Sequence, residues 1–171
     1  MPAIEPELQA LRENLLDMLS MVKDQIEKCK RAIEDKDIDI AREVIEDERK
    51  INVQELAIDR DCENILALFT PVATDLRLVL ATLKITNDLE RIADSAKSLA
   101  KFLRKAGKIE FKWIASLQFV GMLDVLISML KEMGTAIRKS DTKPALKAAK
   151  QDEELNDYFK KAVKATAQLV Q

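Results

Sequence analysis

Glu90 and Asp94 are two carboxylates one helical turn apart, inside a segment that opens at Thr70-Pro71 and runs to residue 94. Like charges at that spacing repel and cost an isolated helix a few tenths of a kcal/mol. A cation held between them turns that cost into binding. A second acidic stripe is formed by Glu48, Asn52, Glu55 and Asp59, at intervals that keep all four on one helical face. Asp152 and Asn156 repeat the i,i+4 pattern further on. Carboxylate oxygens suit hard cations such as Mg²⁺, Ca²⁺ or Mn²⁺, and they also bridge iron ions. The neutral amides of Asn52 and Asn156 are weaker ligands. The competing reading is a solvated acidic face balanced by Arg91, Lys97 and Lys101. Spacing alone favours that reading over metal binding.

Other chemistry is excluded by composition. The 171-residue chain has no histidine, which removes Ser-His and Cys-His catalysis, imidazole zinc sites and the Glu-x-x-His of di-iron bundles. Cys29 and Cys62 sit at apolar helical positions without a CxxC partner, as small core residues of a reducing compartment do. The 28 basic and 30 acidic side chains leave a net charge of −2, which argues against a nucleic-acid binder. The longest uncharged stretches, 64–74 and 113–123, are too short to span a bilayer, and the first residues carry no secretory pattern. A cytoplasmic protein is expected.

The elements that must position these residues are long helices, because the chain has only three glycines and four prolines. Apolar periodicity predicts five: about 7–34, 38–68, 70–105, 111–139 and 144 to the end. Thr70 is expected to cap the third helix with Pro71 in its first position, and Gly107 to end it. In that helix Ile85, Leu89, Ile92, Ala96, Leu99 and Leu103 form the expected core seam. Glu90, Asp94 and Asn87 lie opposite it, continuing an apolar strip of Leu76, Val79, Leu80 and Leu83. The second helix has a near-heptad seam through Val44, Ile51 and Ile58. Asp75, Arg77 and a lysine group at 139, 143, 147 and 150 read as ordinary surface. Trp113 and Phe119 read as packing anchors.

A shift of 104 positions lays the first two helices over the last two. Met18 meets Met122, Leu19 meets Leu123, Ala32-Ile33 meets Ala136-Ile137, and Asp37 meets Asp141. The expected architecture is therefore all-α, built of antiparallel helical bundles. It has one three-helix repeat, and a second repeat represented by two helices whose uncovered apolar face needs a partner.

Thr-Pro-Val-Ala-Thr-Asp-Leu-Arg at 70–77, with Leu-Lys-Ile-Thr-Asn-Asp-Leu-Glu-Arg-Ile-Ala-Asp at 83–94, resembles the signature of the PhoU family of phosphate-transport accessory proteins. The resemblance implies a first PhoU-like repeat over 1–106 and an incomplete second one over 107–171. It also implies metal binding through E(D)xxxD motifs, held by iron-, zinc-, manganese- or magnesium-type sites, mononuclear or clustered. By position these map to Glu90 and Asp94, to Glu48 and Asn52 with Asn replacing Asp, and to Asp152 and Asn156. Ala93 and Ser98 replace the family's Gly and Asn.

The implied role is a negative regulator of phosphate uptake and starvation signalling, without catalysis. Such a protein acts as an adaptor between the ATPase of a phosphate transporter and a sensor histidine kinase, at the inner face of the membrane. A homodimer is expected to cover the last two helices. The alternative is a helical oligomerisation or docking domain with no metal site. An enzyme built on a carboxylate-bridged metal cluster is disfavoured by the missing histidines.

Overall fold

A computed structural model describes residues 3–105, 114 and 117–169. Five helices follow in order: α1 (Glu5–Asp35), α2 (Ile38–Phe69), α3 (Ala73–Leu103), α4 (Phe119–Lys139) and α5 (Thr142–Leu169). No strand occurs among the described residues. The all-α expectation holds. Trp113, Gly107 and the boundary near residue 106 lie outside the described residues.

Side-chain pairings fix the directions. Gln25 reaches Val44 and Asn14 reaches Asp61, so α1 and α2 run antiparallel. Lys97 meets Glu48 while Cys62 meets Val79, so α2 and α3 do the same. Cys29 lies on Ala96, which leaves α1 and α3 parallel. Lys30 meets Asp124 and Arg12 meets Ser140, which sets α4 antiparallel to α1. α1 is the central helix: it packs on α2, α3 and α4, while α5 packs on α4. Its Leu11, Leu15, Met18, Val22, Ile26 and Cys29 are all buried. α4 joins the same core through Leu123, Ile127 and Leu130. A Cβ at Gly134 would lie 3.4 Å from Leu19, ordinary contact distance.

The first turn shows why short connections suffice. Lys36 adopts a left-handed conformation (φ 55°), and the Asp37 N–H reaches back to the Ala32 carbonyl at 3.1 Å. This is a helix-terminating wrap that satisfies carbonyls otherwise left open. The Asp37 carboxylate then accepts from the N–H groups of Asp39 and Ile40, capping α2. The same geometry recurs 104 residues later. Ser140 is left-handed (φ 49°), the Asp141 N–H reaches the Ala136 carbonyl at 3.1 Å, and the Asp141 carboxylate accepts from Lys143 N–H.

Two expectations are corrected. Thr70 does not cap α3 with Pro71 as its first residue. It ends α2 in the left-handed region (φ 49°), and α3 begins only at Ala73 after an extended Val72. Proline disfavours right-handed helical backbone in the residue before it, so Thr70 leaves the helix. The α3 seam is also rotated. It runs Val79, Thr82, Thr86, Leu89, Ala93, Ala96, Ala100 and Leu103, a three-four alternation. α3 packs on both α1 and α2, and small side chains allow that double approach. Ile85, Ile92 and Leu99 stand beside the seam, half-buried, and Leu80 is exposed.

Candidate functional site

The candidate ligands divide into three places. Glu48 is not on a solvated stripe. It occupies the buried seam of α2 with Ala41, Val44 and Ile51, and is only 3% exposed. A buried carboxylate needs a partner, since desolvating a lone charge is costly. Lys97 of α3 supplies it. Its Nζ donates to Glu48 Oε1 at 2.8 Å and to Asp94 Oδ1 at 3.3 Å. Asn52 Nδ2 also donates to Glu48 Oε1, at 2.8 Å, which leaves the buried Asn52 Oδ1 without a partner. The hydrogen bond to Glu48 is the main reason the Lys97 ammonium titrates above its ordinary value, with Asp94 adding to it.

Glu90 lies two turns along the α2–α3 interface. Its charge is felt at Glu55 of α2, whose carboxyl is pushed above the usual range by burial first, and then by the charges of Glu90 and Asp59. Among the described residues none of these three carboxylates has an ion-pair partner. The acidic residues of α2 and α3 are thus brought together by the fold, although the sequence placed them on separate helices.

Asp152 and Asn156 lie on the far side, on α5, bonded to each other at 3.2 Å and exposed. Even so, Asn156 shares a groove with Glu90 and Asp94. The groove has a volume of about 910 Å³, its wall on one side α3 and on the other α4 and α5, its floor Ile26 and Cys29 of α1. A second, mostly apolar groove of about 770 Å³ runs between α4 and α5 past Phe119, Met122, Phe159 and Val163. Phe159, Val163 and Leu146 are more than half exposed.

The residues fit a metal unevenly. Among the described residues no three acidic or thiol side chains converge closely enough to hold an ion. The Glu48–Asn52 pair does not suit one: its carboxylate is neutralised by an ammonium and its amide presents a donor. Glu90 and Asp94 keep free carboxylate oxygens on the groove, the donor chemistry a hard cation takes. Neither cysteine adds a ligand. Burial pushes the Cys29 thiol up to about 12, and burial with nearby carboxylates does the same to Cys62.

Spacing alone missed the Glu48–Lys97 bond. One signal was available: position 48 continues the 41, 44, 51 spacing of buried α2 residues. The partner was not identifiable without knowing how α3 lies on α2. Of the three cations expected to balance Glu90 and Asp94, only Lys97 pairs with either, at Asp94. Arg91 pairs weakly with Asp88, and Lys147 pairs with Glu132.

The fold and site define a class: an all-helical bundle with a repeated helical pair, acidic faces, and no nucleophile–base arrangement among the described residues. Residues 15–103 match the family model of the PhoU domain. The chain belongs to the PhoU domain family. It is 31% identical over 159 residues to the phosphate-specific transport system accessory proteins PhoU of Edwardsiella tarda and Escherichia coli (strain K12), covering 92% of this chain. It spans 65% of the length of those relatives. The crystal structure of PhoU from Pseudomonas aeruginosa superposes with a TM-score of 0.85 at 28% identity, covering 98% of this chain and 80% of that one.

Proposed function

We propose that this chain is an accessory and regulatory protein of phosphate transport that works by binding partners, not by catalysis. The observation that carries this reading is the PhoU-domain match over 15–103, which contains every acidic residue of the α2–α3 face. The names of the similar proteins, accessory proteins of a phosphate-specific transport system, support it. Its finer form is a negative regulator of phosphate uptake and starvation signalling. In that form the chain is an adaptor between the transporter ATPase and a phosphate-sensing histidine kinase, in the cytoplasm at the inner face of the membrane. No helix among the described residues is long and apolar enough to cross a membrane. The chain divides into a three-helix repeat over 1–106 and a segment over 107–171 whose helical pair repeats the first two helices, a division supported by the matching turns at Asp37 and Asp141. A second copy covering the exposed apolar face of α4 and α5 makes a homodimer.

Metal binding belongs to this reading at Glu90 and Asp94. Two carboxylates with water make a weak, exchangeable site for Mg²⁺, Mn²⁺, iron or zinc. The Asp152–Asn156 pair faces the same groove only through its amide.

Deleting the gene tests the regulatory role. Expression of phosphate-scavenging functions then rises in phosphate-rich medium, and unchanged expression defeats the reading. Elemental analysis with Glu90→Ala plus Asp94→Ala tests the metal. A bound divalent ion lost in the double variant is the expected result, while an ion retained, or absent from both, counts against it. Light scattering tests the dimer, and a monomer contradicts it.

A further inference from the structure

We infer that Lys97 is the resident cation of the α2 motif, so that this chain closes at Glu48 and Asn52 the position where its family resemblance implies a metal. The inference rests on the family membership in the reading above, whose resemblance implies a metal at that place.

Three observations converge. First, the Lys97 ammonium lies 2.8 Å from the Glu48 oxygen and 3.3 Å from that of Asp94, bridging α2 and α3 as a cation would. Metal–oxygen bonds to carboxylates are about 2.0–2.6 Å. An ion bound to the same Glu48 oxygen would put a second positive charge within a few ångströms of Nζ in a half-buried site. Second, the motif's other ligand has lost its charge. Asn52 stands where the family pattern has Asp, and it turns its amide N–H to Glu48. Glu48, Asp94 and Lys97 together carry one net negative charge, whereas an aspartate at 52 would leave two. The Asn at 52 and the ammonium of Lys97 both bring the site closer to internal neutrality. Third, Asn52 Oδ1 is buried with no partner. It is the ligand atom a metal would need, whereas the atom the amide presents to Glu48 is its N–H.

The site is therefore a helix-to-helix ion pair at the position where the resemblance implies a metal. Glu48 is too buried to tolerate an empty counter-charge, and a lysine on the facing helix satisfies it permanently. Removing the ammonium should leave Glu48, Asp94 and the amide oxygen of Asn52, once free to rotate, as an oxygen-rich pocket.

The test uses the full chain in a Glu90→Gln background, which disables the groove pair, with thermal unfolding read in EDTA and in millimolar Mn²⁺. With Lys97 intact, Mn²⁺ leaves the unfolding midpoint unchanged. Lys97→Ala lowers the midpoint in EDTA by about 5 °C, and Mn²⁺ restores at least half of the loss. Lys97→Ala with Glu48→Gln shows no Mn²⁺ response. Lys97→Arg, which keeps the charge, stays indifferent to metal. If Lys97→Ala does not fold, Lys97→Gln, which keeps a donor for Glu48, carries the same comparison. A Glu48-dependent Mn²⁺ response with Lys97 intact overturns the inference, as does a lysine-free variant that Mn²⁺ does not stabilise. Expression of phosphate-scavenging functions does not enter this test, so its failure is distinguishable from failure of the regulatory reading.

Discussion

Replacing Glu90 with Gln should make the metal-free protein slightly more stable. Glu90 makes its charge felt at Glu55, and the two repel strongly enough to help hold the Glu55 carboxyl above its ordinary range, after burial. It also stands four residues before Asp94 on the same helix. Two like unit charges in water repel by about 1 kcal/mol at about 4 Å and by less at greater separation. A like-charged i,i+4 pair adds a few tenths of a kcal/mol. Glutamine keeps the shape and helix propensity of glutamate, so little else changes. The expected gain is about 0.5–1 kcal/mol at low salt, or about 1–4 °C in the unfolding midpoint.

The sign with pH follows from Glu55. Its folded-state value is raised, so its charged form costs stability at neutral pH. That cost is fully present above the raised value and vanishes as pH falls below the ordinary carboxylate range. The advantage of Glu90→Gln should therefore be present at neutral pH, fade in acid, and shrink in high salt. Urea unfolding in EDTA at neutral and acid pH measures it. A Glu90→Gln protein less stable than the parent by more than about 1 kcal/mol in EDTA would refute the reasoning, because Glu90 would then be making a favourable contact. Saturating Mg²⁺ or Mn²⁺ should invert the order, since the parent alone then gains binding energy.

Further outcomes follow from the core and the turns. Ile58, fully buried on α2, should cost about 2–5 kcal/mol when cut to alanine, seen as a fall in urea midpoint with unchanged m-value. Asp37→Ala should cost about 1 kcal/mol by removing the α2 cap, and Asp141→Ala a similar amount at the second turn, both read by thermal melts. Cys29 and Cys62, both buried and with thiols raised to about 12, should resist a thiol reagent at neutral pH in the native state and react at once in denaturant. Prompt reaction of the native protein would contradict their placement.

The helices were legible because local rules set them. Apolar periodicity and scarce breakers located α1 and α2 within two residues of their ends, while the Asp37 cap came from the structure. Position 70 was misread. A threonine followed by proline fits both a helix start and a helix end, and the restriction proline places on the preceding residue decided for the end. The α3 seam was misassigned because hydrophobicity marked the bulky Ile85, Ile92 and Leu99, while a helix squeezed between two others chose its alanines and threonines. Thr82 and Thr86 are fully buried with hydroxyls lacking partners among the described residues, and no polarity scale would have placed them there.

The candidate site divides along the same line. That Glu48, Asn52, Glu90 and Asp94 share helical faces was determined by spacing within each helix, as was the family they resemble. Whether those faces meet, and with what charge between them, depended on the antiparallel register of α2 on α3. That register set Lys97 against Glu48 and left Glu90 against Glu55. It gave Glu48 and Asp94 a shared cation and, among the described residues, gave Glu55 and Glu90 none. Spacing along one helix follows from its 3.6-residue turn, but charge pairing between helices depends on side chains 49 residues apart that only packing brings together.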